Sequence, residues 1–497
     1  MRTLRGLLTA LAVLLGSCGA LSVHRRAVTP PVPAPQWNHE WSRGAVAYEI
    51  FVRSFADSNG DGNGDLNGIT SRLDYLAQLG VDAIWLTPIF QSPSYHGYDT
   101  TDYETIEKDF GTNADFQRFV GEAHKRNIKV ILDFVMNHTS NQHPWFIESA
   151  SSPNSPKRNW YIWSSSNPGW TQPWGGDTSW HFLNGAYYYC AFWSGMPDLN
   201  YKNPEVKNEM FRLARYWLQQ GVDGYRLDAT RYLVENGPGA GQSDTLETHQ
   251  VLKEFSTMVR ETKPEATLIG ENTTTIPALA AYFGDMPSNF NFPLASAIVD
   301  GVNSGNATHI VETLRADIAA YPPHVIDAPF LTNHDQIRIA TVVNNDPGKL
   351  RNAAAILLTL PGMPFIYYGE EVGMQNDPGT ADEAKRRPMP WNAVAAQTTD
   401  PQSLLSYYRA WIAARKHSTA LSKGEITPLD MPPQVLAFMR EYGDEHALVV
   451  HNLGASSTTA GPFAGTLEVM YLDAGVGVGA DGRITLPPHS SGVWRVR

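Results

Sequence analysis

The sequence predicts an α/β protein: a (β/α)8 barrel of the TIM type, with a domain inserted after strand three and a C-terminal antiparallel β-sandwich. Three observations lead there. Eight short apolar runs alternate with helical stretches between residues 45 and 420. The segment between the third and fourth runs, residues 139–203, is far longer than an ordinary strand-to-helix loop. Beyond residue 420 the pattern changes to closely spaced short strands.

The chain opens with Arg2 and Arg5, then an apolar run from Leu7 to Leu15 that is too short to span a bilayer. Residues 1–18 therefore form an export signal. They end in "LGSC", which resembles a bacterial lipoprotein cleavage box and makes Cys18 the expected lipid-anchored first residue. The alternative is plain secretion after cleavage near Ala20. With only 2 cysteines in the chain, an acylated Cys18 leaves Cys190 without a partner. Residues 19–38, "RRAVTPPVPAPQW" among them, read as a Pro-rich extended tether.

The barrel is expected over residues 39–138 and 204–420. Its strand runs start at Ala45, Val81, Lys129, Gly221, Ala266, Ser288, Ala328 and Pro364. Their β-branched and aromatic residues lack strict alternation, as suits strands buried on both faces. The sixth, "SNFNFPLA", carries the weakest pattern. Between them, "PEVKNEMFRLARYWLQQG" puts Val206, Met210, Leu213 and Trp217 on one helical stripe, opens at Pro204 and stops at Gly221. "NADFQRFVGEAHKRN" does the same with Phe116, Phe119 and Ala123. Residues 139–203 are polar and aromatic and should sit over the barrel mouth. In residues 421–497, "VLAFMREY", "ALVVHNL", "LEVMYL" and "SGVWRVR" read as strands.

A formal charge of −12 and the lack of basic runs exclude nucleic acid as a partner. The 14 Trp and 21 Tyr suit a sugar or aromatic ligand as well as a large core. The protein is expected to act as a monomer.

In a barrel of this type functional residues collect where strands end. Strand three ends in Asp133, Asn137 and His138, and strand four in Arg226 and Asp228. Strand five ends in Glu271, and strand seven in Asn333, His334 and Asp335. Carboxylates converging from several strands are costly to bury without a task. Paired carboxylates point to glycoside hydrolysis, in which one attacks the anomeric carbon and the other protonates the leaving oxygen. Arg226 is two residues from Asp228, on the same face, and should keep it ionised as the nucleophile. Glu271 follows apolar "ATLIG", where a carboxyl holds its proton nearer neutral pH, as an acid/base requires. Glu370 and Glu371 in "YYGEE" are competing acids, ranked lower because neighbours on a strand point opposite ways.

"DFVMNH", "GYRLDATRY", "LIGEN" and "FLTNHD" resemble, in order, the four signature segments of the α-amylase family, glycoside hydrolase family 13. "GVDAIWLTPIF", "MPDLN" and "GMPFIYYGEEVGM" resemble its accessory segments. The resemblance runs over residues 40–497 and implies Asp228 as nucleophile, Glu271 as general acid/base and Asp335 as transition-state stabiliser. It also implies sugar contacts from Arg226, His138 and His334, with Tyr98 stacking beneath the ring and Asp99 beside it. The substrate implied is an α-glucan or malto-oligosaccharide, as for the intermediate-specificity amylases between neopullulanases and oligo-1,6-glucosidases. The alternatives are an α-glucosidase, a trehalose synthase, or a non-catalytic glucan-binding or transporter-associated protein. Arg231 and Tyr232 replace the Lys-His that many family amylases carry after the nucleophile, which bears on acceptor preference. Trp160, Trp163, Trp174, Trp180, Tyr187, Tyr189 and Trp193 of the insert could stack on glucose rings.

"DSNGDGNGDLNG", residues 57–68, follows strand one with an acid or amide at alternate positions: Asp57, Asn59, Asp61, Asn63 and Asp65. The first half follows the EF-hand pattern, but Gly68 stands where that loop needs a bidentate glutamate. Relatives with this loop bind calcium, so the resemblance implies one structural Ca2+ held by Asp57, Asn59, Asp61 and Asp65 with the backbone carbonyl of residue 63. The alternative is a solvated turn. Asn137 often ligates a second calcium in the family, with Asp177 as a candidate partner here.

Overall fold

A computed structural model describes residues 40–497; the export signal, Cys18 and the tether lie outside the described residues. Eight parallel strands form the central sheet: β1 (Ala47–Ile50), β2 (Ala83–Leu86), β3 (Lys129–Phe134), β4 (Gly224–Leu227), β5 (Thr267–Gly270), β6 (Ser288–Phe290), β7 (Ile326–Ala328) and β8 (Phe365–Tyr367). Each neighbours the next in sequence, β8 pairs with β1, and a parallel bridge from Phe330 to Phe365 joins the β7 side to β8 and closes the barrel. β7 lies earlier than the run from Ala328 predicts. Ala328 is its last residue, and only the Phe330 bridge belongs to the stretch read as strand.

Alternation along these strands explains their apolar runs. Ala47, Ala83, Trp85, Ile131 and Ile269 join one core cluster with Phe290, Ala328 and Phe365 inside the barrel. Tyr48, Ile50, Ile84, Leu86, Val130 and Leu132 join the outer cluster, against the helices. Small residues inside leave volume for the rings. At Gly224 even a Cβ would meet the Thr267 carbonyl oxygen at 2.3 Å, so the β4–β5 approach requires glycine.

The helices follow from their caps. Thr112 and Asp115 form a capping box at the start of the helix Asn113–Lys125. Asn203 caps Pro204–Gln219, which buries Val206, Met210, Leu213 and Trp217. Trp217 also donates its indole N–H to the Tyr103 carbonyl at 2.7 Å. Truncating it to alanine removes packing worth about 3–5 kcal/mol.

The insert holds a helix, Pro144–Ser151, and a sheet of Trp163–Ser164, Ala186–Tyr189 and Trp180–Leu183. His138–Asp198 and Tyr161–Leu199 bridges stitch its exit to its entry. The C-terminal region forms a five-stranded and a three-stranded sheet over a shared core that includes Val450, Leu486 and Trp494. Arg415, on the last barrel helix Leu404–Lys416, is fully buried and donates to the carbonyls of Gly44, Leu358, Leu360, Gly362, Leu421 and Ser422. Among the described residues no helix is long and apolar enough to cross a membrane. Cys190 is buried and free.

Candidate active site

The inward columns of β1, β3 and β4 turn from apolar to charged toward their C-terminal ends, at Glu49, Asp133 and Arg226. Asp133 in β3 and Arg226 in β4 are register partners. Arg226 Nη1 donates to Asp133 Oδ1 at 2.9 Å and to Asp228 Oδ1 at 2.7 Å, while Nη2 lies 2.9 Å from Glu271 Oε2. One buried guanidinium thus spans three carboxyl groups from three successive strands. Its planar fork is suited to this; a lysine would offer a single point charge. Burial pushes the Glu271 carboxyl up to about 7, with the Asp228 charge adding and Arg226 opposing. Burial likewise raises Asp133 to about 7, against Arg226.

His334 and Asp335 come from the loop after β7. His334 Nδ1 is 2.6 Å from Glu49 Oε1 at the top of β1, and its Nε2 is 2.7 Å from the Tyr98 hydroxyl. The Tyr98 and His334 rings are stacked, 5.6 Å between centroids. Tyr98 also donates to Asp133 Oδ2 at 3.0 Å. Asp335 accepts from Arg386 Nη2 at 2.7 Å and lies 3.3 Å from His334 Nε2. Packing around Asp335 works against its charge, but His334, Arg386 and Arg226 hold its carboxyl below the usual range.

His138 is buried, and its Nε2 has no hydrogen-bond partner among the described residues. Burial depresses its pKa, with the charges of Asp228 and Asp99 opposing. That leaves a neutral imidazole with one nitrogen free for a ligand. Asp99 is buried and accepts from Ser92 Oγ at 2.7 Å and from Ser94.

The described carboxyls, guanidinium and imidazoles converge at the strand ends of a closed barrel. Residues 49–424 match the family model for the α-amylase catalytic domain. The chain belongs to the α-amylase family. It is 41% identical to "Alpha-amylase 3" of Dictyoglomus thermophilum, over 85% of this chain and 87% of the relative. It is 33% identical to the trehalose synthase of a Pimelobacter species, over 83% and 87%. The crystal structure of an α-amylase from H. orenii superposes with a TM-score of 0.83 at 37% identity, covering 92% of this chain and all of that one. The chain is thus an α-amylase-like glycoside hydrolase.

Against that family frame, the eight residues expected to act on the sugar fall in one place. Asp228, Glu271 and Arg226 are linked directly, and His334 connects Tyr98 to Asp335. His138 and Asp99 flank them. Glu370 and Glu371 do not join. They sit in a helical turn past β8, not on a strand, where Glu370 accepts from Tyr408 and Glu371 from Tyr48 and Tyr75. Two participants were not foreseen. Glu49 interrupts the apolar run of β1, a signal present in the sequence. Arg386 comes from a loop after β8 with no local pattern to mark it.

The loop of residues 57–68 does not gather its acids. Asp57 accepts the amides of Asn59, Gly60 and Gly62, Asn59 that of Asp61, and Asp61 that of Asn63. Those from Gly60 and Gly62 hold the Asp57 carboxyl below its ordinary range. Asp65 is buried and caps the next helix through Gly68 while accepting twice from Ser58. The Asn63 side chain is taken by Arg53, leaving only its carbonyl for a ligand. Among the described residues no three acid, histidine or cysteine groups are arranged to hold a metal. The donors are hard oxygens of the kind calcium takes, and carboxylates keep lone pairs beyond these contacts. Asn137 donates to Asp198, not Asp177, and its Oδ1 is buried without a partner. Asp177 is exposed in the insert, so that candidate is corrected.

Proposed function

We propose that this chain is a retaining enzyme that cleaves α-glucosidic bonds, mainly α-1,4, of starch or maltodextrins through a covalent glycosyl-enzyme intermediate. The observation that carries the reading is the single Arg226 guanidinium shared by Asp228 and Glu271, with Glu271 held near pH 7. Asp228 attacks the anomeric carbon as carboxylate while Glu271 gives its proton to the departing glycosidic oxygen. Water then attacks the same carbon as Glu271 takes back a proton, and the C1–Asp228 bond breaks. Both steps pass through an oxocarbenium-like state, which the Asp335 carboxylate stabilises. His138 offers Nε2 to a sugar hydroxyl, Arg226 and His334 orient the acids, and Tyr98 supplies the ring beneath the sugar, with Asp99 beside it.

The function is tested by incubating the enzyme with soluble starch and with maltose. The expected result is rapid fall in starch chain length, with the α-anomer formed first. Trehalose as the main product from maltose, or β-anomer first, would overturn it. Asp228→Asn should lower kcat by about 10³-fold or more while the protein stays folded.

Two further assignments belong to this reading. We place one structural calcium at Asp57, Asn59, Asp61 and Asp65, which requires the exposed arm of the loop to rewind around the ion. We place the protein outside the cytoplasm on a lipid attached to Cys18. Cys18→Ser should move it from the membrane fraction to the soluble one. A wild-type protein found entirely soluble would refute the anchor.

A further inference from the structure

Glu49 touches no reacting atom, yet it is 1% exposed and lies inside the barrel, two residues after Ala47 on β1 and level with Trp85 of β2. A carboxylate buried there is costly unless a cation meets it. Among the described residues no lysine or arginine pairs with Glu49, and both of its hydrogen-bond partners belong to His334. Its Oε1 takes the His334 backbone amide at 3.3 Å and lies 2.6 Å from the ring Nδ1. The other acids of the site have guanidinium partners: Asp133, Asp228 and Glu271 have Arg226, and Asp335 has Arg386.

The far side of the ring decides what this pair carries. His334 Nε2 is 2.7 Å from the Tyr98 hydroxyl and 3.3 Å from Asp335 Oδ2. Asp133 accepts from Arg226 Nη1 with both oxygens, at 2.9 and 3.0 Å, and Tyr98 donates its own proton to Asp133 Oδ2. The Tyr98 oxygen is therefore an acceptor toward Nε2. Each ring nitrogen faces an acceptor, and a histidine that donates from both is an imidazolium. Burial works against that charge, as does Arg386, whose Nε donates to the His334 carbonyl at 3.0 Å. Asp335 and Glu49 outweigh both and raise the His334 pKa above its ordinary value. The ring's charge also reaches Asp133 and Glu271, while Arg226 lies behind Tyr98, 5.6 Å from the centre of its ring.

We propose that Glu49 is a positioning residue for the glycosidase reaction: it holds His334 doubly protonated, so that Nε2–H is a cationic donor presented to the sugar between Tyr98 and Asp335. This rests on the catalytic assignment of Asp228, Glu271 and Asp335. The charges of Glu49 and His334 cancel inside the barrel, and the ring cannot turn without breaking bonds at both ends. A fixed cation beside Asp335 also keeps that acid a carboxylate for the oxocarbenium-like state.

The test begins with NMR of the wild-type protein labelled at its histidine ring nitrogens. At about pH 7 the His334 ring, identified by its loss in His334→Gln, should have both nitrogens protonated, and in Glu49→Gln it should have one bare nitrogen. The second readout is kcat/KM for α-maltosyl fluoride, whose leaving group needs no proton from Glu271. Glu49→Gln should lower it at least about tenfold at about pH 7.5, and the loss should shrink at about pH 5.5 as the ring regains its proton. Glu49→Asp, which keeps the charge, should lose less. A bare nitrogen on wild-type His334 overturns the proposal, and so does a Glu49→Gln defect that is absent or equal in size at both pH values. Unimpaired turnover of the fluoride by Asp228→Asn would instead remove the catalytic assignment, whatever the state of the His334 ring.

Discussion

At the scale of single residues, the site works by contrast between environments. Glu271 loses solvation and is pushed to about 7, whereas Asp335 is held low by the cations around it. The sign of the resulting pH dependence follows. Glycosylation needs Glu271 protonated, so kcat/KM for a maltodextrin should decline as pH rises through about 7. A fluoride leaving group needs no proton, so kcat/KM for α-maltosyl fluoride should lack that alkaline limb. The same limb for both substrates would assign the titration elsewhere, with Asp133 the first alternative. These carboxyls were legible in the sequence because acids interrupt strands that are otherwise apolar on both faces. The same logic marks Glu49, which the motif-based reading passed over. Arg386 was not legible: it pairs with Asp335 from 51 residues away, across a loop with no periodicity.

At the scale of elements, helices were the easiest to read because their signals are local. Asn203 and Pro204 start one helix and an apolar stripe runs its length. Strand β7 has only 3 residues, too few for periodicity to fix its start. The helix Pro144–Ser151 was hidden in the insert, where His143, an uncommon cap, supplies the acceptor for its first turn. The 57–68 loop shows the opposite case, a strong pattern whose spacing fits both an Asx-turn series and a cation cage. If calcium binds there, dialysis against a chelator should remove about one ion per chain and lower Tm before it alters the initial rate. Saturation at about 100 times Kd adds roughly 2.7 kcal/mol. Equal metal content and Tm before and after chelation would leave the loop as hydrogen-bonded turns.

At the scale of the whole molecule, barrel and C-terminal sheets are tied through the barrel floor. Arg415 gathers carbonyls from residues 44, 358, 360, 362, 421 and 422 with no carboxylate among its partners. Burial pulls its pKa down to about 9, so it remains a cation at neutral pH. Arg440 closes the adjoining joint through Thr359 and Gly424. Arg415→Leu would strand these carbonyls and should cost about 4 kcal/mol or more, with Arg415→Lys recovering little because it lacks the fork. The readout is the half-life of activity at fixed elevated temperature, and a half-life equal to wild type would show that water replaces the guanidinium. The contacts between the barrel and the C-terminal sheets also govern how the protein comes apart. A protease that nicks the surface between residues 425 and 434 would leave two pieces still joined by Arg440 to Thr359 and Gly424, by Tyr407 to Asp473 and by Ser418 to Glu445, so the cut chain should stay assembled and active until it is denatured.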